Sequence, residues 1–340
     1  MNELVRLGSN ENLLGPSPVA LEEINKICQN LHIYSVDEDL HLMHALAEHL
    51  GNGMSAEQFV VGNGGGDVLR MITQTYVLPG DEVIMPDPTF AAYQRLTGVH
   101  RGNLIRVPLV NYQIDVDGII AAVTPRTKLI FICNPNNPTG QMMTHDQMRS
   151  FLSRLPDHVL VVVDEAYAHF ATDPEFPNMV ELVQANSNVI VMHTFSKLYG
   201  LASLRVGYGY GAERWVEPVR KTRHPSDSGR IGYMGAAAAL KDTEHAQKTL
   251  EMVINGRQQL YEGLDKLGIE YLESQAFFVQ TKNLPIPAQE LVEAAAAEGV
   301  ILRHTDVFNM PEHVRISVGR PEDNARALDV LSQILSSQIA

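Results

Sequence analysis

Cysteine is scarce in this chain: Cys28 and Cys133 are the two among 340 residues. That is too few for a disulfide framework, and it fits a reducing compartment. Long apolar runs are missing as well. No stretch approaches the roughly 20 uninterrupted apolar residues that span a bilayer, so no membrane association is expected. The opening Met1-Asn2-Glu3-Leu4-Val5-Arg6 lacks the apolar centre of a secretion signal, and the expected location is the cytoplasm. Positive charge is in deficit, 26 Lys and Arg against 40 Asp and Glu, for a formal net charge of −14. A phosphate backbone demands a basic face, so this balance argues against nucleic acid as a partner. Any anionic ligand must therefore meet a local cluster of arginines. Metal-ligand spacing is lacking too. His41, His44, Glu48 and His49 form no His-Glu-x-x-His pattern and do not share one narrow helical stripe, so no metal is expected.

What is present is the composition of a soluble globular protein, 45% apolar and 19% charged. A chain of this length divides into two lobes. Apolar runs at 59–61, 82–85, 128–133, 159–163 and 189–192, with a further one at 206–211, alternate with helical segments. Several of these runs lead directly into polar or glycine-rich turns. Val159 to Val163, five aliphatic residues in a row, suit a parallel strand covered on both faces. The pattern predicts an open, mainly parallel α/β sheet with ligand at the carboxyl ends of its strands. Ser17-Pro18 reads as a cap and first helical position for a helix to Cys28. From Gly235 the chain is alanine-rich and helical towards Leu267. The remainder reads as a smaller α+β lobe, with strands at 275–282 and 300–302, a helix at 288–298, and a last strand opened by Arg315.

The chemistry gathers around Lys197. This lysine follows the apolar run ending at Met192, lies between Thr194 and Ser196 on one side and Arg205 on the other, and would be partly desolvated. A desolvated amine near other cations has a depressed pKa and can form a Schiff base with an aldehyde. Two hydroxyls and a guanidinium are the donors a phosphate dianion requires. An aldehyde that carries a phosphate is pyridoxal phosphate. The glycine-rich turn Gly62-Asn63-Gly64-Gly65-Gly66-Asp67, between a strand and a helix, could add backbone donors and the positive end of a helix dipole. Asp164, at the carboxyl end of the 159–163 run, needs a cationic partner, which a protonated pyridine nitrogen would supply. Asn137, in a turn fixed by two prolines and a glycine, could donate to a phenolic oxygen, and Tyr167 could reach the same atom. Arg315 would be a buried cation in need of an anion.

The parts Thr194-Phe195-Ser196-Lys197 and Leu204-Arg205-Val206-Gly207, with Asn134-Pro135-Asn136-Asn137-Pro138-Thr139-Gly140, resemble fold-type I aminotransferases, most closely the histidinol-phosphate aminotransferase branch. The resemblance implies a large domain over 40–235 with an open, mainly parallel seven-stranded sheet flanked by helices. It adds an N-terminal arm, 1–39, and a smaller α+β domain, 236–340. It also implies a homodimer with shared sites, in which Tyr34 reaches the cofactor phosphate of the neighbouring subunit. The backbone of Gly64, Gly65, Gly66 and Asp67 would serve the same phosphate, Phe90 would stack on the ring, and Asp164, Asn137 and Tyr167 would tune it. The segment Asn10-Glu11-Asn12 would border the substrate site, with Asn12 as its binding residue, Arg315 would bind the substrate α-carboxylate, and Arg303 would bind a substrate phosphate. The implied reaction moves an amino group between an amino acid such as glutamate, with 2-oxoglutarate, and histidinol phosphate or imidazole acetol phosphate. Departures from the family pattern fall at Leu13, Ser35, Gly65, Gly66, Phe90, Ser226, Asp227 and Phe277. They keep two alternatives open: an aromatic or other amino-acid aminotransferase, and a decarboxylase resembling threonine-phosphate decarboxylase. A cofactor domain within a DNA-binding regulator is disfavoured, because no DNA-binding segment flanks the fold.

Overall fold

The computed structural model describes residues 4–185, 188–223 and 229–339. Strand β1 (Val5–Arg6) opens the chain. Helix α1 (Pro18–Cys28) begins at the expected cap: the Ala20 N–H donates to Ser17 Oγ, and Pro18 stands where a missing N–H costs nothing. Helix α2 (Glu38–Leu50) follows.

Seven strands form the main sheet. They are β2 (Phe59–Gly62), β3 (Glu82–Asp87), β4 (Asn103–Pro108), β5 (Thr127–Cys133), β6 (Leu160–Asp164), β7 (Val189–Thr194) and β8 (Gly207–Gly211). Their order is β2-β8-β7-β6-β5-β3-β4, and β8 alone runs against its neighbours. This is the mainly parallel seven-stranded sheet anticipated from the sequence. Alternate residues of one strand enter separate cores on its two faces, Val161 and Val163 on one side, Leu160 and Val162 on the other. Burial on both faces explains why β6 and β7 read as unbroken apolar runs. Between β2 and β3 lies helix α3 (Gly65–Tyr76).

A second sheet is antiparallel, built from β9 (Glu270–Leu272), β10 (Phe278–Lys282), β12 (Arg303–His304) and β13 (Val314–Ser317) in the order β12-β13-β10-β9. Strand β11 (Val300–Ile301) pairs with β1 in parallel. The single strand expected at 300–302 is thus two pieces, because the chain changes partner at the buried Leu302. The long helix expected after Gly235 is also two, Arg230–Ala239 and Thr243–Lys266. Asp242 interrupts it, its carboxylate accepting the His245 N–H as the cap of the second helix. Among the described residues, no helix is long and apolar enough to cross a membrane.

Candidate active site

The carboxyl ends of β5, β6 and β7, the start of α3, residues 9–10 and the β12–β13 region enclose a pocket of about 450 Å³, a size suited to a small molecule. At its floor lies Asp164, the last residue of β6. Tyr93 donates its hydroxyl to Asp164 Oδ2 at 2.7 Å, and the Ala166 N–H donates to Oδ1 at 3.1 Å. Burial raises the carboxyl pKa to about 6, against the pull of the Tyr93 hydrogen bond. Tyr93 is held by face-to-face stacking on Phe131, with centroids 4.5 Å apart. Sequence reasoning missed Tyr93, whose only local signal is an aromatic on the buried side of a short helix.

Lys197 follows β7 in a turn. Its Nζ donates to the backbone oxygens of Asn10 at 2.9 Å and Ser9 at 3.4 Å. Burial lowers its pKa to about 8, and the nearby Arg315 and Arg205 push the same way. About one such amine in ten is neutral at pH 7, against roughly one in three thousand for a free lysine.

The glycine turn divides its labour. Gly65 and Gly66 line the pocket, and the first N–H groups of a helix have no acceptor within it. Gly64 and Asp67 shape the turn instead. The Gly64 N–H donates to Gly62 O and the Asp67 N–H to Gly64 O, while the Asp67 carboxylate accepts from Asn63 N and Arg70 Nε. Gly64 has φ 91°, and a Cβ there would lie 2.3 Å from Arg205 Nη2, so glycine is required twice over. Thr194 Oγ1 donates to Ser196 Oγ at 2.9 Å, which sets both hydroxyls on the pocket wall. Arg205 has φ 56°, a strained backbone for an arginine, and its Nη1 donates to Ala202 O.

Above the floor, Phe90 stands edge-on to Tyr93. Tyr167 accepts a hydrogen bond from Asn10 Nδ2 at 2.9 Å, and burial pushes its hydroxyl up to about 12. Asn137 Oδ1 accepts from Arg315 Nη1 at 2.6 Å. The antiparallel register sets Arg303 opposite Arg315. Arg303 Nε and Arg315 Nη2 both donate to one carbonyl, Gly8 O, each at 3.0 Å. Arg315 also lies against the rings of Phe278 and Phe308, at 5.1 and 5.7 Å, and its buried Nε meets no acceptor among the described residues. Burial lowers its pKa to about 10. None of the ion pairs among the described residues involves Arg205, Arg303 or Arg315. Three uncompensated guanidiniums around one pocket, in a chain of net charge −14, make a site for anions. With a lysine of lowered pKa and a buried carboxylate, these residues fit a phosphorylated aldehyde whose ring carries a cationic nitrogen.

The remaining anticipated residues lie elsewhere. The Asn12 amide braces the lysine turn, donating to Lys197 O, Leu198 O and Thr249 Oγ1. Asn10, two residues earlier in the same Asn10-Glu11-Asn12 segment, takes the place at the pocket, tied to Ser317 Oγ as well as to Tyr167. Tyr34 is 85% exposed and is absent from the pocket lining. Phe277 is no pocket residue: it precedes β10 with its side chain in the core, stacked on Phe170 at 4.9 Å, whereas its neighbour Phe278 turns to Tyr167 and Arg315. Ser226 and Asp227 lie outside the described residues. Among the described residues, no group of three or more His, Cys, Asp or Glu is placed to hold a metal.

Comparison with known proteins agrees with this geometry. The profile of the family described as aminotransferase class I and II matches residues 2–331. Histidinol-phosphate aminotransferase of Moorella thermoacetica is 36% identical over 99% of this chain and 86% of its own length. The protein of that name from Staphylococcus saprophyticus is 37% identical over 97% of this chain and 91% of its own. Among solved structures, histidinol-phosphate aminotransferase from Sinorhizobium meliloti in complex with pyridoxal-5'-phosphate matches with a TM-score of 0.90 at 27% identity, covering 98% of this chain and 92% of that one.

Proposed function

Because the chain belongs to the class I and II aminotransferases, we propose that it moves an amino group between glutamate and the histidinol phosphate–imidazole acetol phosphate pair, with pyridoxal phosphate in the pocket. Bound there, the cofactor supplies an aldehyde that accepts the amine and a ring that draws electrons from the substrate Cα. Gly65, Gly66, Thr194, Ser196 and Arg205 would hold its phosphate, Asp164 its ring nitrogen, Asn137 and Tyr167 its phenolic oxygen, and Phe90 one face. Lys197 would take the proton from the substrate Cα as base and, as acid, deliver it to the carbon that the cofactor aldehyde contributes, a task suited to an amine whose pKa is lowered to about 8. Arg315 clamps a carboxylate through its planar fork, and Arg303 takes a phosphate.

The observation that carries this reading is Arg303 beside Arg315, two cations on neighbouring strands that share one carbonyl. Histidinol phosphate has no α-carboxylate, so a protein that turns over both it and glutamate needs two anion sites used in turn. Tyr34 belongs to the same reading as a residue offered to a second copy in a homodimer. It sits in an exposed apolar stretch with Leu31, Ile33, Val36 and Leu40. So do the division into a cofactor domain, 40–235, with arm 1–39 and small domain 236–340, and a cytoplasmic location.

The test is transamination of histidinol phosphate with 2-oxoglutarate by the wild-type chain and by Arg303→Ala. The variant is expected to lose at least about tenfold more kcat/KM on histidinol phosphate than on glutamate. Equal losses would remove Arg303 as the phosphate selector. The apolar Phe90, Met192 and Val307 on the pocket wall favour an aromatic amino-acid aminotransferase as second reading. Turnover of phenylalanine but not histidinol phosphate selects it, and release of carbon dioxide without an oxo acid selects a decarboxylase.

A further inference from the structure

We propose that Tyr112 and Asp87 are positioning residues that clamp the loop carrying Val307 and Phe308 against the pocket and so set how tightly substrates are held. For its kinetic readout this rests on the reading of the pocket given above. The loop, 306–313, joins β12 to β13. Val307 and Phe308 line the pocket, and the Phe308 ring lies against the Arg315 guanidinium. The loop is knitted internally, the Phe308 and Met310 N–H groups donating to Thr305 O and the Thr305 hydroxyl to Met310 O and His313 O, but these bonds fix its shape and not its seat against the pocket. Val307 is 56% exposed, and a second cavity of about 450 Å³, lined by Pro88, Tyr112, Asn309 and His313, opens beside it.

Two side chains from outside the antiparallel sheet reach across. Asp87, the last residue of β3, accepts from Asn309 Nδ2 at 3.1 and 3.4 Å. The Tyr112 hydroxyl lies 3.3 Å from His313 Nε2, and the two rings meet edge to face at 5.9 Å. Asn309 directly follows the pocket residues and His313 closes the loop, so the grip falls on both ends of the intervening segment.

Tyr112 occupies a backbone conformation that a tyrosine would not choose. Asn111, φ 51°, and Tyr112, φ 65°, form the turn of the small hairpin closed by Val110 and Gln113. A two-residue turn of this kind needs positive φ at both positions, and glycine suits the second. A bulky residue there persists where its surroundings over-determine it. Both side-chain contacts of Tyr112 described above, through hydroxyl and ring, are to His313. The hairpin is in turn fixed to the rest of the protein: Gln113 Nε2 donates to Gln141 Oε1, and Gln141 Nε2 donates to Glu273 O, each at 2.6 Å.

Tyr112→Gly separates a positioning role from a merely structural one, because glycine relieves the turn while removing the grip. The variant is expected to unfold at the same temperature as the parent or higher. Amide exchange in 306–313 should quicken in the cofactor-free protein. KM for histidinol phosphate and for glutamate should rise about tenfold, with kcat within about twofold. Tyr112→Phe, which keeps the ring contact, should fall between the two. Unchanged exchange and KM, or a lower unfolding temperature with KM unchanged, would overturn the proposal. If the wild-type chain turns over phenylalanine but not histidinol phosphate, the substrate reading fails by itself. The clamp is then judged by the KM for phenylalanine and by the exchange measurement, which needs no substrate.

Discussion

Among the described residues, Asp164 meets two hydrogen-bond donors and no cation, and burial raises its pKa to about 6. A carboxyl raised in the folded state adds stability that is full below its unfolded value and is lost as pH rises through the folded one. Here that loss is on the order of 3 kcal/mol between about pH 4 and pH 6. A cationic ring nitrogen placed on the carboxylate reverses the penalty. The rise in thermal midpoint on adding pyridoxal phosphate should therefore grow as pH is raised from about 5 to about 8, and Asp164→Asn should flatten that growth. Identical pH dependence in both proteins would exclude Asp164 as the counter-charge. Lys197→Ala should abolish transamination and the visible absorbance of the reconstituted protein, and retained turnover would refute its role. Lys197, Asp164 and Arg315 were legible in the sequence because each is an ionisable residue at the end or start of an apolar run. Tyr93 was not, and within Asn10-Glu11-Asn12 the choice of Asn10 over Asn12 was not, because what each does depends on contacts with Asp164 and Tyr167, far along the chain.

Among elements, the start of α3 bears most directly on the site. Gly64→Ala puts a methyl into the Arg205 guanidinium and forces alanine into φ 91°, a strain of about 1–3 kcal/mol. Cofactor binding should weaken at least about tenfold, read by fluorescence titration, whereas the cofactor-free Gly66→Ala, whose added Cβ meets nothing within 4 Å, should unfold no earlier than its parent. A Gly64→Ala protein that binds the cofactor as tightly as the parent would show that Arg205 is not confined by this turn. Legibility followed burial here as well. Strand β6 announced itself, while β4, an edge strand in which exposed Asn103 and Arg106 bracket the half-buried pair Leu104 and Ile105, gave no clear run. The break at Asp242 escaped notice because the alanine run before it and helix formers such as Glu244, Ala246, Gln247 and Lys248 after it both favour helix, and only the cap marks the boundary.

Across the whole molecule, the sheet separates the pocket from a buried ionisable cluster on its other face. Glu165 and His193 meet at 3.0 Å, with the ring of His169 against His193 and those of Tyr208 and Tyr210 stacked on it. Burial pushes Glu165 far up and lowers both histidines to about 3, so the contact joins a carboxylic acid to a neutral imidazole. The histidines withdraw stability as pH falls below about 6.5, and Glu165 withdraws it as pH rises above about 4.5, so the cluster narrows the stable range from both sides. Glu165→Gln should be little different from the parent at pH 4.5 and increasingly more stable towards pH 8.5, seen in thermal melts. A gap that stays constant with pH would mean that Glu165 is ionised in the folded protein.

Residues 8–10 hold the cations around the pocket with backbone oxygens alone: Gly8 for Arg303 and Arg315, Ser9 and Asn10 for Lys197. A carbonyl aims a cation without neutralising it. An arriving carboxylate or phosphate thus displaces a dipole, not a rival ion, and on leaving it hands the guanidinium back to the same oxygen. Affinity measured at this site is the difference between two ligations. It will fall well short of what counting ion pairs suggests, and product will leave more readily than a doubly anchored anion otherwise could.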